Sequence, residues 1–168
     1  MQELKELYEH IAEEKQIDAI QLWNKERGNT KYSKYLEYKM LSEEFAEYFE
    51  AKTLVGRLDA IADFIFVYEG TLYKASLSAL PEDVVERLTY DCGQMFNIMF
   101  EDLAYTLQLE HDGLVFDIIY ETLGIVVKAN QQKSANKNAD GKITKPIGFI
   151  PPEETIKEQV INKYKLEG

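Results

Sequence analysis

Four acidic side chains in the first half of the chain carry the first chemical signal: Glu44, Glu47, Asp59 and Asp63. The segment Leu41-Ser42-Glu43-Glu44-Phe45-Ala46-Glu47-Tyr48 has helical spacing. At about 100° per residue, Glu44 falls inside the apolar arc between Met40, Leu41 and Tyr48, and Glu47 lies on its edge. Glu43 and Glu50 point elsewhere. Residues i and i+3 are neighbours on a helix, so the Glu44 and Glu47 carboxylates can converge on one cation. The competing reading of this helix alone is an ordinary solvated glutamate face. The next segment, Leu58-Asp59-Ala60-Ile61-Ala62-Asp63-Phe64-Ile65-Phe66-Val67-Tyr68, sets two aspartates one turn apart in an otherwise apolar run. An ionised carboxylate taken out of water without a partner is costly, and two side by side also repel. A divalent cation facing both resolves the two problems together. The alternative is bonding to Arg57, Lys52 or a neighbouring helix N-terminus. Hard oxygen donors suit Mg²⁺, or Mn²⁺, rather than zinc. His10 and His111 are isolated, without ligand-like spacing, and read as surface or capping residues.

The elements that must position these acids are helices. Residues 2–26 read as one or two amphipathic helices, with Leu4, Leu7, Tyr8, Ile11 and Ala12, then Ile17, Ile20 and Leu22, at helical spacing. Gly28-Asn29-Thr30 breaks the pattern. A longer helix runs over 31–53, with Tyr35, Tyr38, Leu41, Phe45, Tyr48 and Phe49 on its apolar side, and Gly56 marks its end or a tight connection. Residues 57–77 form a helix apolar almost all round, the mark of a buried position. Pro81-Glu82-Asp83 starts another, running to Leu107. His111-Asp112-Gly113 punctuates, and 114–132 forms the last long helix; Gly124-Ile125-Val126-Val127 is too short for a strand. Residues 134–152, rich in Lys, Asn, Gly and Pro with a turn at Asp140-Gly141, are irregular. A short helix over 153–165 follows. The fold class is all-α: a four-to-five-helix bundle in one domain over 1–168, with a core at about 31–132 and a basic tail at 133–168.

Composition sets the outer limits. Hydrophobic residues make up 45% and charged residues 29%, a globular balance. No apolar run approaches the ~20 residues that cross a bilayer, and Met1-Gln2-Glu3-Leu4-Lys5-Glu6 lacks the basic and apolar regions of a secretory signal. A single cysteine, Cys92, suits a reducing cytoplasm. The net charge of -11 argues against gripping a nucleic-acid polymer through its phosphates. It leaves open a small polyanion bound through a divalent cation.

At these residues the sequence resembles the all-α nucleoside triphosphate pyrophosphohydrolase superfamily, which includes MazG-like proteins, dimeric dUTPases and phosphoribosyl-ATP pyrophosphohydrolases. Glu44-Phe45-Ala46-Glu47 matches the family's Glu-x-x-Glu helix. The commonest second element is Glu-x-x-Asp, where this chain has Ala60 and sets Asp59 one place earlier. A branch related to the phosphoribosyl-ATP enzymes has Asp-Ala-x-x-Asp-Leu-x-Tyr-Val, which Asp59-Ala60-Ile61-Ala62-Asp63-Phe64-Ile65-Phe66-Val67 follows closely. That branch continues with Asn-x-x-Lys, Asp-Gly-Lys, a further Lys and Pro-Pro. Here Asn130-Gln131-Gln132-Lys133, Asp140-Gly141-Lys142, Lys145 and Pro151-Pro152 stand in the same order, with Val127 where a His often precedes. The resemblance spans about residues 35–155.

It implies Mg²⁺-dependent hydrolysis of a nucleoside triphosphate, or related nucleotide, to the monophosphate and pyrophosphate. Glu44, Glu47, Asp59 and Asp63 would be the metal ligands, with Glu44 or Glu47 as general base. Lys133, Lys142 and Lys145 would reach the phosphates, and Asn130 a sugar hydroxyl or phosphate. Trp23 or a tyrosine could stack on the base, although aromatics at helical spacing are more often core. A homodimer or homotetramer is implied too, and a helix as apolar as 57–77 suggests burial against a second copy. The alternatives are a catalytically degenerate helical regulatory or protein-binding module of the same fold, and an iron or manganese carboxylate bundle. The last uses Glu-x-x-His pairs, and no Glu in the chain has a His three residues on.

Overall fold

The computed structural model describes residues 16–109 and 111–166. The expected helix over residues 2–15, and His10, lie outside them. The described elements are α1 (Gln16–Glu26), α2 (Lys34–Glu50), α3 (Leu54–Leu77), α4 (Glu82–Leu107) and α5 (Asp112–Asn130). A terminal helix follows as α6 (Glu153–Ile156), a π-helical turn (Lys157–Ile161) and α7 (Asn162–Tyr164). The chain is all-α, and among the described residues the only β pairing is an isolated bridge between Lys137 and Ile143.

The connection that matters most for function is the one between α2 and α3. Ser33 caps α2 by accepting a hydrogen bond from the Leu36 amide, and Thr53 caps α3 by accepting one from the Gly56 amide. Gly56 therefore sits inside the first turn of α3 instead of ending α2. It still serves a tight connection, because a Cβ there would stand 3.2 Å from the Ala51 Cβ. So short a link makes the two helices antiparallel neighbours, and they pack along their length.

Helix α3 is the centre of the molecule: α1, α2, α4, α5 and α6 all pack on it. Leu58, Ile61, Ala62, Phe64 and Ile65 are fully buried and Tyr68 nearly so, each large side chain stabilising the fold by about 1.5–3 kcal/mol. The apolar girth of α3 is thus satisfied within the chain, and a second copy is not needed to explain it. Within α2, Leu41 and Tyr48 are core, whereas Tyr35 (76% exposed) and Phe49 (45%) are not. Leu22 likewise faces out, while Ile20 and Trp23 of α1 are buried. Helical spacing names the residues of an apolar arc; how wide an arc the neighbours cover is decided in three dimensions.

Among the described residues no helix is long and apolar enough to cross a membrane. His111 is exposed at the start of α5, and its side chain makes no capping bond.

Candidate functional site

Two polar stripes face each other across the α2–α3 seam. On α2, Glu37, Glu44 and Glu47 recur at seven- and three-residue spacing; on α3, Asp59, Asp63, Gly70 and Lys74 do so at one- and two-turn spacing. Between them lies a cavity of about 140 Å³. Of the eight residues singled out above, Glu44, Glu47, Asp63, Asn130, Lys133, Lys142 and Lys145 line it. Asp59 does not line the cavity, yet it couples electrostatically to Asp63 and Glu47.

The acids differ in exposure. Glu44 is buried (7% exposed), Asp59 and Asp63 are half-buried, and Glu47 is exposed at the rim. Burial, then Asp63 and Glu47, push the Glu44 carboxyl up to about 8. Burial, then Asp63 and Glu153, push Asp59 up to about 8. Asp63 is raised as well, by burial, against the pull of Lys133 and of a hydrogen bond from Asn130. Glu44 Oε2 and Asp59 Oδ1 are buried without a hydrogen-bond partner. A bare buried carboxylate oxygen is unfavourable unless a proton or cation meets it.

Of the bridging alternatives, Arg57 is engaged elsewhere. Arg57 pairs with Asp102 at 2.9 Å and with Thr106 at 3.0 Å. The described ion pairs use Glu37, Glu43, Asp91, Asp102, Asp140 and Glu121, with Glu26 beside Arg27. Among the described residues, no three His, Cys, Asp or Glu side chains close into a ligating group. The four acids form a coupled cluster of hard oxygen donors, not a finished coordination shell. Their donor chemistry and orphaned oxygens fit a divalent cation such as Mg²⁺.

The basic tail is an ordered loop that covers this cavity. Asn138 Oδ1 accepts hydrogen bonds from the amides of Asp140 and Lys142, and Gly141 turns the chain at φ +88°, a conformation suited to glycine. Lys39 pairs with Asp140 at 3.2 Å and Lys142 with Glu43 at 2.8 Å, fixing the turn to α2. The Gln132 amide closes the loop, donating to Ile150 O and accepting from the Ile150 amide. Lys133 and Lys145 flank Phe149, at 5.7 and 5.1 Å from its ring centre. Lys133 is half-buried, and burial lowers its pKa against the opposing pull of Asp63. At the loop's root, Arg27 donates to the carbonyls of Lys133 and Gln131, and Trp23 Nε1 to that of Asn130.

Two of these residues also have structural contacts. Asn130 is buried, and its amide donates to Val126 O and holds Asp63; it positions a carboxylate. Lys142 is engaged by Glu43, a residue expected to point away from the site, and so anchors the loop. Trp23 is held edge-on against Phe66 at 5.0 Å, with the Arg27 guanidinium 4.7 Å from its ring.

Sequence reasoning missed three features. Glu153, at the start of α6, acts on Asp59 from far along the chain, and no local pattern marks it. Gly70 admits Asn24, since a Cβ there would stand 2.9 Å from Asn24 Nδ2. At the far end of the cavity, the buried Lys74 Nζ lies 2.6 Å from Glu37 Oε2, which also accepts from Thr71 Oγ1 at 2.7 Å. The last had a readable signal: a lysine on the same stripe as Asp63 in an apolar helix, facing a glutamate two turns before Glu44. No family model, curated relative or solved structure matches the chain.

Proposed function

We propose that this protein is a cytoplasmic Mg²⁺-dependent nucleotide pyrophosphohydrolase, cleaving a nucleoside triphosphate or related nucleotide to the monophosphate and pyrophosphate. The observation that carries this reading is one cavity joining two opposite sets of charge. Acids from α2 and α3 stand on one side, among them Glu44 with an orphaned buried oxygen; three lysines of an ordered loop stand on the other. The resemblance of the Glu44–Glu47, Asp59–Asp63 and 130–152 motifs to the all-α pyrophosphohydrolases supports it.

Glu44, Glu47, Asp59 and Asp63 would hold the Mg²⁺, or Mn²⁺. When bound, the ion supplies charge neutralisation for the phosphates and a more acidic water. Glu44 or Glu47 accepts the proton of the attacking water. The water oxygen bonds to the α-phosphorus, the α–β anhydride bond breaks, and pyrophosphate departs with the bridging oxygen. Lys133 and Lys145 offset charge on the departing phosphates, while Lys142, pinned by Glu43, keeps the loop over them. Asp59 takes the place of the family's usual glutamate, because Ala60 is buried in the core and a side chain there points away from the acids. The same chemistry accounts for an acidic protein taking a polyanion. The active form is a homodimer or homotetramer.

Pyrophosphate release from the common and damaged triphosphates and phosphoribosyl-ATP, with Mg²⁺ or Mn²⁺, tests the reading. At least one is hydrolysed, and Glu44→Gln lowers the rate by about 10³-fold while leaving the helical circular dichroism intact. No release from any of them overturns the enzyme; an undiminished Glu44→Gln rate overturns the assignment of the base and metal site.

A further inference from the structure

The cavity has two ends: the acids, Lys133, Lys142 and Lys145 occupy one, while Lys137 of the same loop acts on Lys74 at the other. Asp63 and Lys74 lie three turns apart on α3, about 16 Å along the axis. The Lys74 side chain slants back toward the helix N-terminus, hence toward Asp63. The walls between include Trp23, Met40, Phe66 and Val67, flat or flexible apolar groups suited to the faces of a planar ring, with Asn24, Asn29 and Gly70 also lining the cavity. At the far end Lys74 lines the cavity although it is only 2% exposed.

Lys74 is more than a structural ion-pair partner. An ammonium carries three N–H donors, and Glu37 Oε2 is its single hydrogen-bonded partner among the described residues. Glu37 and Thr71 fix it in place from behind, since Oε2 binds both. A buried ammonium can donate and cannot accept, so the ligand group meeting it must be an acceptor.

Resting on the pyrophosphohydrolase reading, we propose that Lys74 is the specificity-determining residue of a base pocket that selects nucleotides with a carbonyl oxygen at the edge farthest from the sugar. These are nucleotides of uracil, thymine, guanine or hypoxanthine; cytosine and adenine present an amino group at that edge. With the phosphates held at the acid end, the base lies between Trp23 and Met40 and brings its far edge to Lys74. An amino group there meets another donor, leaving two buried donors unsatisfied.

Calorimetric binding of UMP, GMP, CMP and AMP with Mg²⁺ tests this without requiring turnover. Wild-type protein binds UMP or GMP at least ~10-fold more tightly than CMP and AMP. Glu37→Gln with Lys74→Met keeps the pair neutral, its fold being checked by circular dichroism, and it loses the preference. Lys74→Arg keeps the donors and retains the order of affinities, giving a second reading should the double variant not fold. Equal binding of all four, no binding, a preference for the amino bases, or a preference that survives Glu37→Gln/Lys74→Met overturns the proposal. The hydrolysis assay is separate: pyrophosphate release with no base preference sinks this inference and leaves the enzyme standing, whereas selective binding without release does the reverse.

Discussion

The α2–α3 seam buries acids at both ends and treats them in opposite ways. At one end Glu37 is fully buried, and the chain supplies a cation of its own: Lys74 and Thr71 converge on one carboxylate oxygen. At the other, Glu44, Asp59 and Asp63 crowd together, the first two each with an orphaned oxygen, and the lysines act from a loop at longer range. The first arrangement gives its carboxylate an internal ion pair on Oε2, although Oε1 is buried without a hydrogen-bond partner. The second crowds its carboxyls until burial and mutual repulsion raise Glu44 and Asp59 to about 8, so that a proton or an incoming cation must meet them, and groups shifted in this way cluster at functional sites. The same two helices thus hold one buried acid with a cation bonded directly to it and a group of acids without one, and the difference locates the chemistry.

The sharpest way to break this comparison is to remove the internal cation. Lys74→Met strands the Glu37 carboxylate in the core and lowers unfolding stability by about 3–5 kcal/mol, read from the urea midpoint. Adding Glu37→Gln recovers most of the loss, since the pair is then neutral. An unaltered midpoint in Lys74→Met means that Glu37 is not charged in the core, and the contrast between the two ends disappears.

A medium effect probes the acid end. Glu44 and Asp59 titrate near 8 in the folded chain, against about 4 for ordinary carboxylates. The folded state therefore holds more protons than the unfolded state between those values, and stability falls as pH rises from about 4 to about 8. The melting temperature in chelator follows this fall. Saturating Mg²⁺ raises it again at pH 8, because the ion binds the deprotonated acids. Glu44→Gln flattens both the pH slope and the Mg²⁺ response; a slope unaffected by that change removes Glu44 from the cluster.

The smallest effect belongs to the loop's outer tie. The Lys39–Asp140 pair is exposed on both sides, so Lys39→Ala leaves the urea midpoint nearly unchanged. It sharpens the comparison by showing that exposed charge pairs in this protein contribute little and that burial at the seam is what matters. A loss as large as that of Lys74→Met would contradict this.

Much of this was legible in one dimension. The periodic apolar residues fixed the helices to within a few residues, and the aspartates in an apolar run pointed to a buried acidic site. Helix formation and charge placement are local matters, decided over a few turns. Three things were not local. The apolar girth of α3 suggested a second copy, but the chain's own α1, α2, α4, α5 and α6 surround it. Glu153 and the loop lysines reach the acids only because Gln132, Arg27 and Glu43 fold residues 133–152 back over α2. Glu37 and Lys74 meet because the short Thr53-capped connection makes α2 and α3 antiparallel, setting residues 37 apart in sequence within 2.6 Å. The sequence by itself determined which side chains are charged and on which stripe they lie. Only the tertiary structure decided which buried acids received a cation from the chain and which were left to take one from elsewhere, because the cost of a buried charge depends on what stands opposite it.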